Sequence, residues 1–117
     1  MLIRSFLRKT PTIADLPEFA KALNEPDVVR QHYGLIGIRN ILTFNNCKHY
    51  KHVQDVIDAG LVPRMMKCVK QEECLQLQLE AIRALCIVAD GTKVQCQTIV
   101  DEGAIPLVSK LLLSRNI

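Results

Sequence analysis

The 117-residue chain contains no tryptophan, and aromatic residues make up only 4% of it. A base-stacking platform of the kind that grips single-stranded nucleic acid is therefore not expected. Charge of one sign is also scarce. Fifteen Lys and Arg against twelve Asp and Glu leave a net +3, too slight to mark a phosphate-binding surface without a clustered basic face. Apolar residues form 49% of the chain, yet no run approaches the ~18 consecutive apolar residues that suggest a membrane span. Neither nucleic acid nor membrane is expected as a partner. The five cysteines, Cys47, Cys68, Cys74, Cys86 and Cys96, include no Cys-x-x-Cys pair, and residues 1–9 are too short and too charged for a secretory signal core. A reduced compartment, cytosol or nucleus, is expected, with the thiols serving as small apolar packing residues.

What the sequence does contain is a repeat. Val56-Ile-Asp-Ala-Gly-Leu-Val-Pro63 recurs as Ile99-Val-Asp-Glu-Gly-Ala-Ile-Pro106, an offset of 43. Ile38-Arg39-Asn-Ile41-Leu42 recurs as Ile82-Arg83-Ala-Leu85-Cys86 at an offset of 44, and a weaker copy begins at Leu16-Pro17. The repeated unit is a helix stop followed by a helix start. Gly60 and Gly103 can close a helix in the left-handed conformation. Pro63 and Pro106 suit the first turn of the next helix, where a missing N–H costs nothing.

A longer helix follows in each unit. Over residues 75–90, Leu77, Ala81, Ala84, Leu85 and Val88 form one apolar stripe, and Leu75, Leu79, Ile82, Cys86 and Ala89 form a second beside it. Two apolar faces predict neighbours on both sides, as in stacked repeats. The strip left for solvent is Gln76, Glu80, Arg83, Ile87 and Asp90, matched one unit earlier by His32, Ile36, Arg39, Thr43 and Asn46. The predicted helices are 17–24, 27–44, 48–58, 63–70, 75–89, 93–101 and 105–113. Three helices per period of about 43 fit an armadillo-type unit better than two-helix arrays of shorter period. The expected fold is all-α, a right-handed armadillo-type α-solenoid of about two and a half repeats. A short basic segment, 1–12, precedes the array 13–117, divided into a partial repeat 13–46, a full repeat 47–90 and a partial repeat 91–117.

On these residues the sequence resembles importin alpha (karyopherin alpha), specifically its amino-terminal armadillo repeats. The two Gly/Pro segments look like that family's inter-helix signature. Residues 78–92, ending in Asp90-Gly91-Thr92, resemble its long third helix and the following loop. The resemblance covers residues 16–113 and implies a non-enzymatic peptide-binding adaptor of nuclear protein import, cytoplasmic and nuclear. In the family, long third helices line a groove that holds an extended Lys/Arg-rich nuclear localisation signal, clasped by Trp and Asn four residues apart. Here Arg83 stands at the Trp position and Ile87 at the Asn position, with Arg39 and Thr43 in the preceding helix. Gly91 matches the loop that approaches the cargo backbone, and Cys96 replaces a Thr the family often uses. Arg4, Arg8 and Lys9 are a poor remnant of the basic segment through which importin alpha recruits importin beta. The implied peptide-binding face is Arg39, Thr43, Glu80, Arg83, Ile87, Asp90 and Gly91. The competing class is an armadillo scaffold for another peptide partner; Arg39 and Arg83, side by side, suit an acidic one.

Other clusters carry less. Cys47, His49 and His52 have metal-binding side chains, but a tetrahedral zinc site needs about four ligands and no second cluster accompanies them, so a polar loop entering a helix is expected. Asp90-Gly91-Thr92 lacks the Lys-Ser/Thr of a phosphate loop. Neither a nucleophile–base pair nor paired carboxylates are placed for catalysis, so no enzyme and no cofactor are expected. Arg83 and Glu80 are spaced for a solvated i,i+3 ion pair, and Met65 and Met66 read as core filler. Ile105, Leu107, Val108, Leu111 and Leu112 would form an uncovered apolar edge, which predicts self-association there or a longer array.

Overall fold

Helix punctuation by glycine and proline dictates the architecture. The computed structural model describes residues 12–44 and 49–115. Among these, a short 3-10 turn at Ile13–Asp15 precedes seven α-helices, with no strand. They are α1 (Leu16–Leu23), α2 (Val28–Phe44), α3 (His49–Asp58), α4 (Leu61–Val69), α5 (Leu75–Ala89), α6 (Lys93–Asp101) and α7 (Ala104–Arg115). The boundaries lie within two residues of those expected from sequence. The basic residues Arg4, Arg8 and Lys9, and also Asn46 and Cys47, lie outside the described residues.

Gly60 and Gly103 have φ of 72° and 80°. A Cβ at either would meet nothing within 4 Å, so the need for glycine there is one of backbone conformation, not space. Gly60 N–H donates to the Ile57 carbonyl at 2.9 Å and Gly103 N–H to that of Val100 at 3.0 Å. The next helix starts at the following residue, earlier than the proline. Pro63 and Pro106 thus become third residues of α4 and α7, still within the turn whose N–H groups lack helical partners.

The stacking is direct. Three cross-unit hydrogen bonds each span 41 residues, and each joins like to like. Gln95 Nε2 of α6 donates to Gln54 Oε1 of α3 at 3.3 Å, linking first helices. Arg64 Nη2 of α4 donates to the Leu23 carbonyl of α1 at 3.4 Å, linking second helices. Arg39 Nε of α2 donates to Glu80 Oε1 of α5 at 2.7 Å, linking third helices. Each bond joins a helix to its counterpart in the next unit, as stacking of a three-helix unit requires.

Between the units lies a continuous apolar core. Leu23, Leu35, Ile38, Ile41, Val53, Val56, Met65, Val69, Leu77, Ala81, Ala84 and Val88 have no exposed surface. Met66 and Cys68 are also buried, in keeping with a packing role. Two features go beyond the apolar pattern. At Gly37 a Cβ would lie 2.3 Å from the Phe19 ring, and at Gly34 one would lie 2.6 Å from the Phe19 carbonyl oxygen, so α1 can approach α2 only where α2 lacks side chains. Gln78, buried at 1% exposure, donates from Nε2 to the Val69 carbonyl at 2.8 Å, satisfying an acceptor at the end of α4 that no helical N–H reaches.

Candidate functional site

The two long helices that form the expected peptide-binding face pack against each other, and an ion-pair cluster sits where they meet. Glu80 accepts from Arg39 through Oε1 at 2.7 Å and from Arg83 through Oε2 at 3.3 Å. Side-chain exposure falls from 61% at Arg83 through 28% at Arg39 to 11% at Glu80. The expectation that Glu80 lies on the solvent strip is therefore corrected. Helical spacing alone points it outward, but the Arg39 guanidinium of the neighbouring unit covers it and supplies the charge-assisted bond that burial of a carboxylate demands. Gln76, Arg83 and Asp90 are exposed, while Ile87 is half-buried against the core.

The second apolar stripe of α5 is corrected as well. Leu75 is 43% exposed and Cys86 is also exposed, whereas Leu79, Ile82 and Ala89 are half-buried. The reason is coverage. The first stripe meets α2 and α4, but no third helix of a further unit lies against the second among the described residues. At the array edge Ile105 is 58% exposed and Leu107 is half-buried. The side chains of Val108, Leu111 and Leu112 lie outside the described residues.

One turn beyond Arg39, the exposed Thr43 donates its hydroxyl to the carbonyls of Arg39 at 2.9 Å and Asn40 at 3.3 Å. Its proton is committed to its own helix, and its lone pairs stay open to a donor from outside. At the far end of α5, Gly91 is hemmed in. A Cβ there would lie 2.2 Å from Gln95 Oε1 and 3.1 Å from the Val88 carbonyl oxygen. Gln95 is the residue that sequence reasoning passed over. Its Oε1 accepts from Thr92 N–H at 3.0 Å, its own N–H donates to Thr92 Oγ1 at 3.2 Å, and its Nε2 reaches Gln54. The Thr92-x-x-Gln95 spacing is a capping box and was the available signal.

Arg39, Glu80 and Arg83 thus come together, with Thr43 and Ile87 one turn away on α2 and α5, while Asp90 and Gly91 stand at the end of α5. The two guanidinium groups do converge, but on a carboxylate of the chain itself. The cluster carries one net positive charge, and an acidic ligand would have to compete with Glu80 for it.

His52 is 6% exposed with Nδ1 3.8 Å from Asp55 Oδ2; Cys47 and the His49 side chain lie outside the described residues. Among the described residues no group of three or more His, Cys, Asp or Glu side chains is placed to hold a metal. Nor is any described helix long and apolar enough to cross a membrane.

Similar curated proteins are importin alpha subunits. Importin subunit alpha of Saccharomyces cerevisiae is 34% identical over 103 residues, covering 88% of this chain and 18% of that protein. Importin subunit alpha-1b of Oryza sativa is 32% identical over 99 residues, 85% of this chain and 18% of that protein. Importin subunit alpha-2 of Arabidopsis thaliana is 39% identical over 64 residues, 55% of this chain and 12% of that protein. The chain spans less than a fifth of the length of these relatives. No family model matches it.

Proposed function

Because the chain is homologous over most of its length to importin alpha, a family of non-enzymatic transport adaptors built from armadillo repeats, we propose that it acts as an adaptor segment in nuclear protein import. Its cargo is an extended, Lys/Arg-rich nuclear localisation signal laid across the third helices, and its place of work is the cytoplasm and nucleus. Arg39, Thr43, Glu80, Arg83, Ile87, Asp90 and Gly91 form the contact strip. The observation that carries this reading is the seam between α2 and α5, held by the 2.7 Å Arg39–Glu80 bond. That bond joins the third helices of two successive units.

Charge along the strip makes the segment a weak subsite by itself. Arg83 repels a basic ligand, and Ile87 offers the peptide backbone no hydrogen bond. With Glu80 already engaged by Arg39 and Arg83, the exposed Asp90 is the carboxylate left to meet a Lys-rich peptide, and the Thr43 hydroxyl oxygen offers the peptide backbone an acceptor. Fluorescence anisotropy with a Lys-rich signal peptide and an acidic peptide of equal length tests this. The Lys-rich peptide binds more tightly. Installing the family's pair, Arg83→Trp with Ile87→Asn, strengthens that binding at least tenfold, since cation–π contact contributes roughly 0.5–2 kcal/mol and the Asn adds a backbone hydrogen bond of about 1 kcal/mol. Preference for the acidic peptide, lost in Arg39→Ala or Arg83→Ala, would favour the scaffold reading that Arg83 and Ile87 support and would overturn the import one.

A further inference from the structure

The two long helices differ on the face each turns toward the amino-terminal end of the array. Val29, Tyr33, Ile36 and Asn40 stand at i, i+4, i+7 and i+11 and so share one face of α2. Their counterparts in α5, 44 residues on, include Leu77 and Glu80. That face of α5 meets α2: Leu77 has no exposed surface, and Glu80 accepts from Arg39 Nε at 2.7 Å. In α2 the place of Glu80 is held by Ile36. A preceding helix bearing an arginine there would set a guanidinium against an isoleucine and leave it no acceptor. The face instead suits apolar contact. Val29 is 73% exposed, Tyr33 and Ile36 are half-buried, and the Tyr33 ring packs edge-to-face on Phe19 of α1 with centroids 5.4 Å apart.

The border of this face is acidic. The Tyr33 hydroxyl donates to the Glu18 carboxylate. That bond, burial and the negative charges of Glu18 and Asp15 raise the phenol above its ordinary 10.0 against the opposing charge of Arg30. Arg30 pairs with Glu25 at 3.0 Å, which leaves Asp15, Glu18 and Asp27 facing Lys21 over residues 12–30. Upstream, the sequence has the complementary pattern. Leu2, Ile3, Phe6 and Leu7 recur at helical spacing, and Arg4, Ser5, Arg8 and Lys9 fall on the opposite side. Pro11 ends such a helix before the array, and Thr12 N–H, bonded to Asp15 Oδ2 at 2.9 Å, fixes the point where the segment joins α1. A helix this short is marginal in water by itself and needs a surface to bury its apolar side.

We propose that residues 1–9 fold back as an amphipathic helix onto the amino-terminal face of α2, laying Phe6 and its apolar neighbours over Tyr33 and Ile36 while Arg4, Arg8 and Lys9 meet Asp15 and Glu18. The segment thereby caps the array, as terminal units of stacked repeats require. The occupant is the chain's own upstream sequence, held beside the face by a two-residue link. The cap lies apart from the strip Arg39–Glu80–Arg83 and does not depend on the import reading.

The test uses the 117-residue chain with Phe6→Trp, which supplies the only tryptophan in the protein. A free peptide of residues 1–11 with the same substitution is the reference. In the chain, indole emission lies to the blue of the peptide's, and acrylamide quenches it roughly threefold less, because a short tether holds the segment at mM effective concentration. Adding Ile36→Asp, with circular dichroism unchanged, returns both readings to those of the peptide. Glu18→Lys, at an exposed site, weakens the protection without touching the apolar contact, and so does high salt. Peptide-like emission and quenching in the Phe6→Trp chain would overturn the proposal. So would protection that grows with chain concentration, which would put the segment on a second copy, or a blue shift seen only with phosphatidylserine vesicles, which would put it on a membrane. Titration with a Lys-rich signal peptide leaves the indole reading unchanged; release of the indole by that peptide would place the segment on the third-helix strip and overturn the cap. Binding of the signal peptide itself, read by its own label, reports separately on the import reading.

Discussion

Helices α2 and α5 carry one pattern and meet different fates. Each is the long third helix of its unit, each has Ile-Arg-x-Ile/Leu at the same place, and each arginine bonds the same carboxylate. Yet α2 is covered along Leu35, Ile38 and Leu42, while α5 leaves Leu75 and Cys86 exposed. Local sequence decides that both are helices with two apolar faces. Whether the second face is satisfied depends on the presence of a neighbour one period away. In a quasi-one-dimensional fold, burial is a property of the interface between units rather than of the helix.

The largest contrast should come from one substitution made twice. Ile38→Ala removes a side chain with no exposed surface and should cost about 2–5 kcal/mol, through lost transfer energy and the cavity left behind. Ile82→Ala, at the matched half-buried site, should cost about 1 kcal/mol, because part of that surface is already wet. Urea denaturation of both variants measures the difference. Equal costs would mean that the open face of α5 is covered in solution.

The arginines sharpen the comparison on a smaller scale. Arg39→Gln takes the 2.7 Å partner from a carboxylate that is 11% exposed, leaving it only Arg83 at 3.3 Å. The expected loss is about 1–3 kcal/mol, within the range for a buried polar group deprived of its partner. Arg83→Gln removes a side chain that is 61% exposed and should cost about 0–1 kcal/mol, as for surface ion pairs generally. Thermal melts at low and high salt separate the two, since the exposed pair is the one screened.

Where the sequence was legible, the reason is local. Gly60 and Gly103 mark the stops, and the prolines that follow mark the starts, so seven helices could be bounded to within two residues. The repeat offset then put α2 and α5 side by side. Three things were not legible because they depend on contacts between units. The outward spacing of Glu80 conceals that Arg39, 41 residues away, lies over it. The glycines at 34 and 37 look like weak helix residues until Phe19 is seen where their side chains would be. Gln78 is polar, and what lets it lie buried is visible only in its bond to the Val69 carbonyl at the end of α4. In the candidate site, the residue types and their face were readable; the convergence of two guanidinium groups on one carboxylate was not.

The thiols offer the gentlest probe of covered against open. Burial in α4 pushes the Cys68 thiol up from its ordinary 9.0 to about 11, a rise that the nearby Arg64 charge only partly offsets, whereas Cys86 on α5 is exposed. Cys86 should therefore take up an alkylating reagent in the native state, while Cys68 reacts only as fast as the molecule opens. The sign of the linkage follows from the direction of the shift. With a folded pKa above the unfolded one, the neutral Cys68 thiol contributes stability that is fully present below about pH 9, and that contribution is lost as pH rises through about 11. Denaturant midpoints measured from pH 8 upward should fall more steeply for the parent chain than for Cys68→Ala. Equal slopes, or alkylation of Cys68 as fast as that of Cys86 in the native state, would mean that the thiol of α4 is not the covered one.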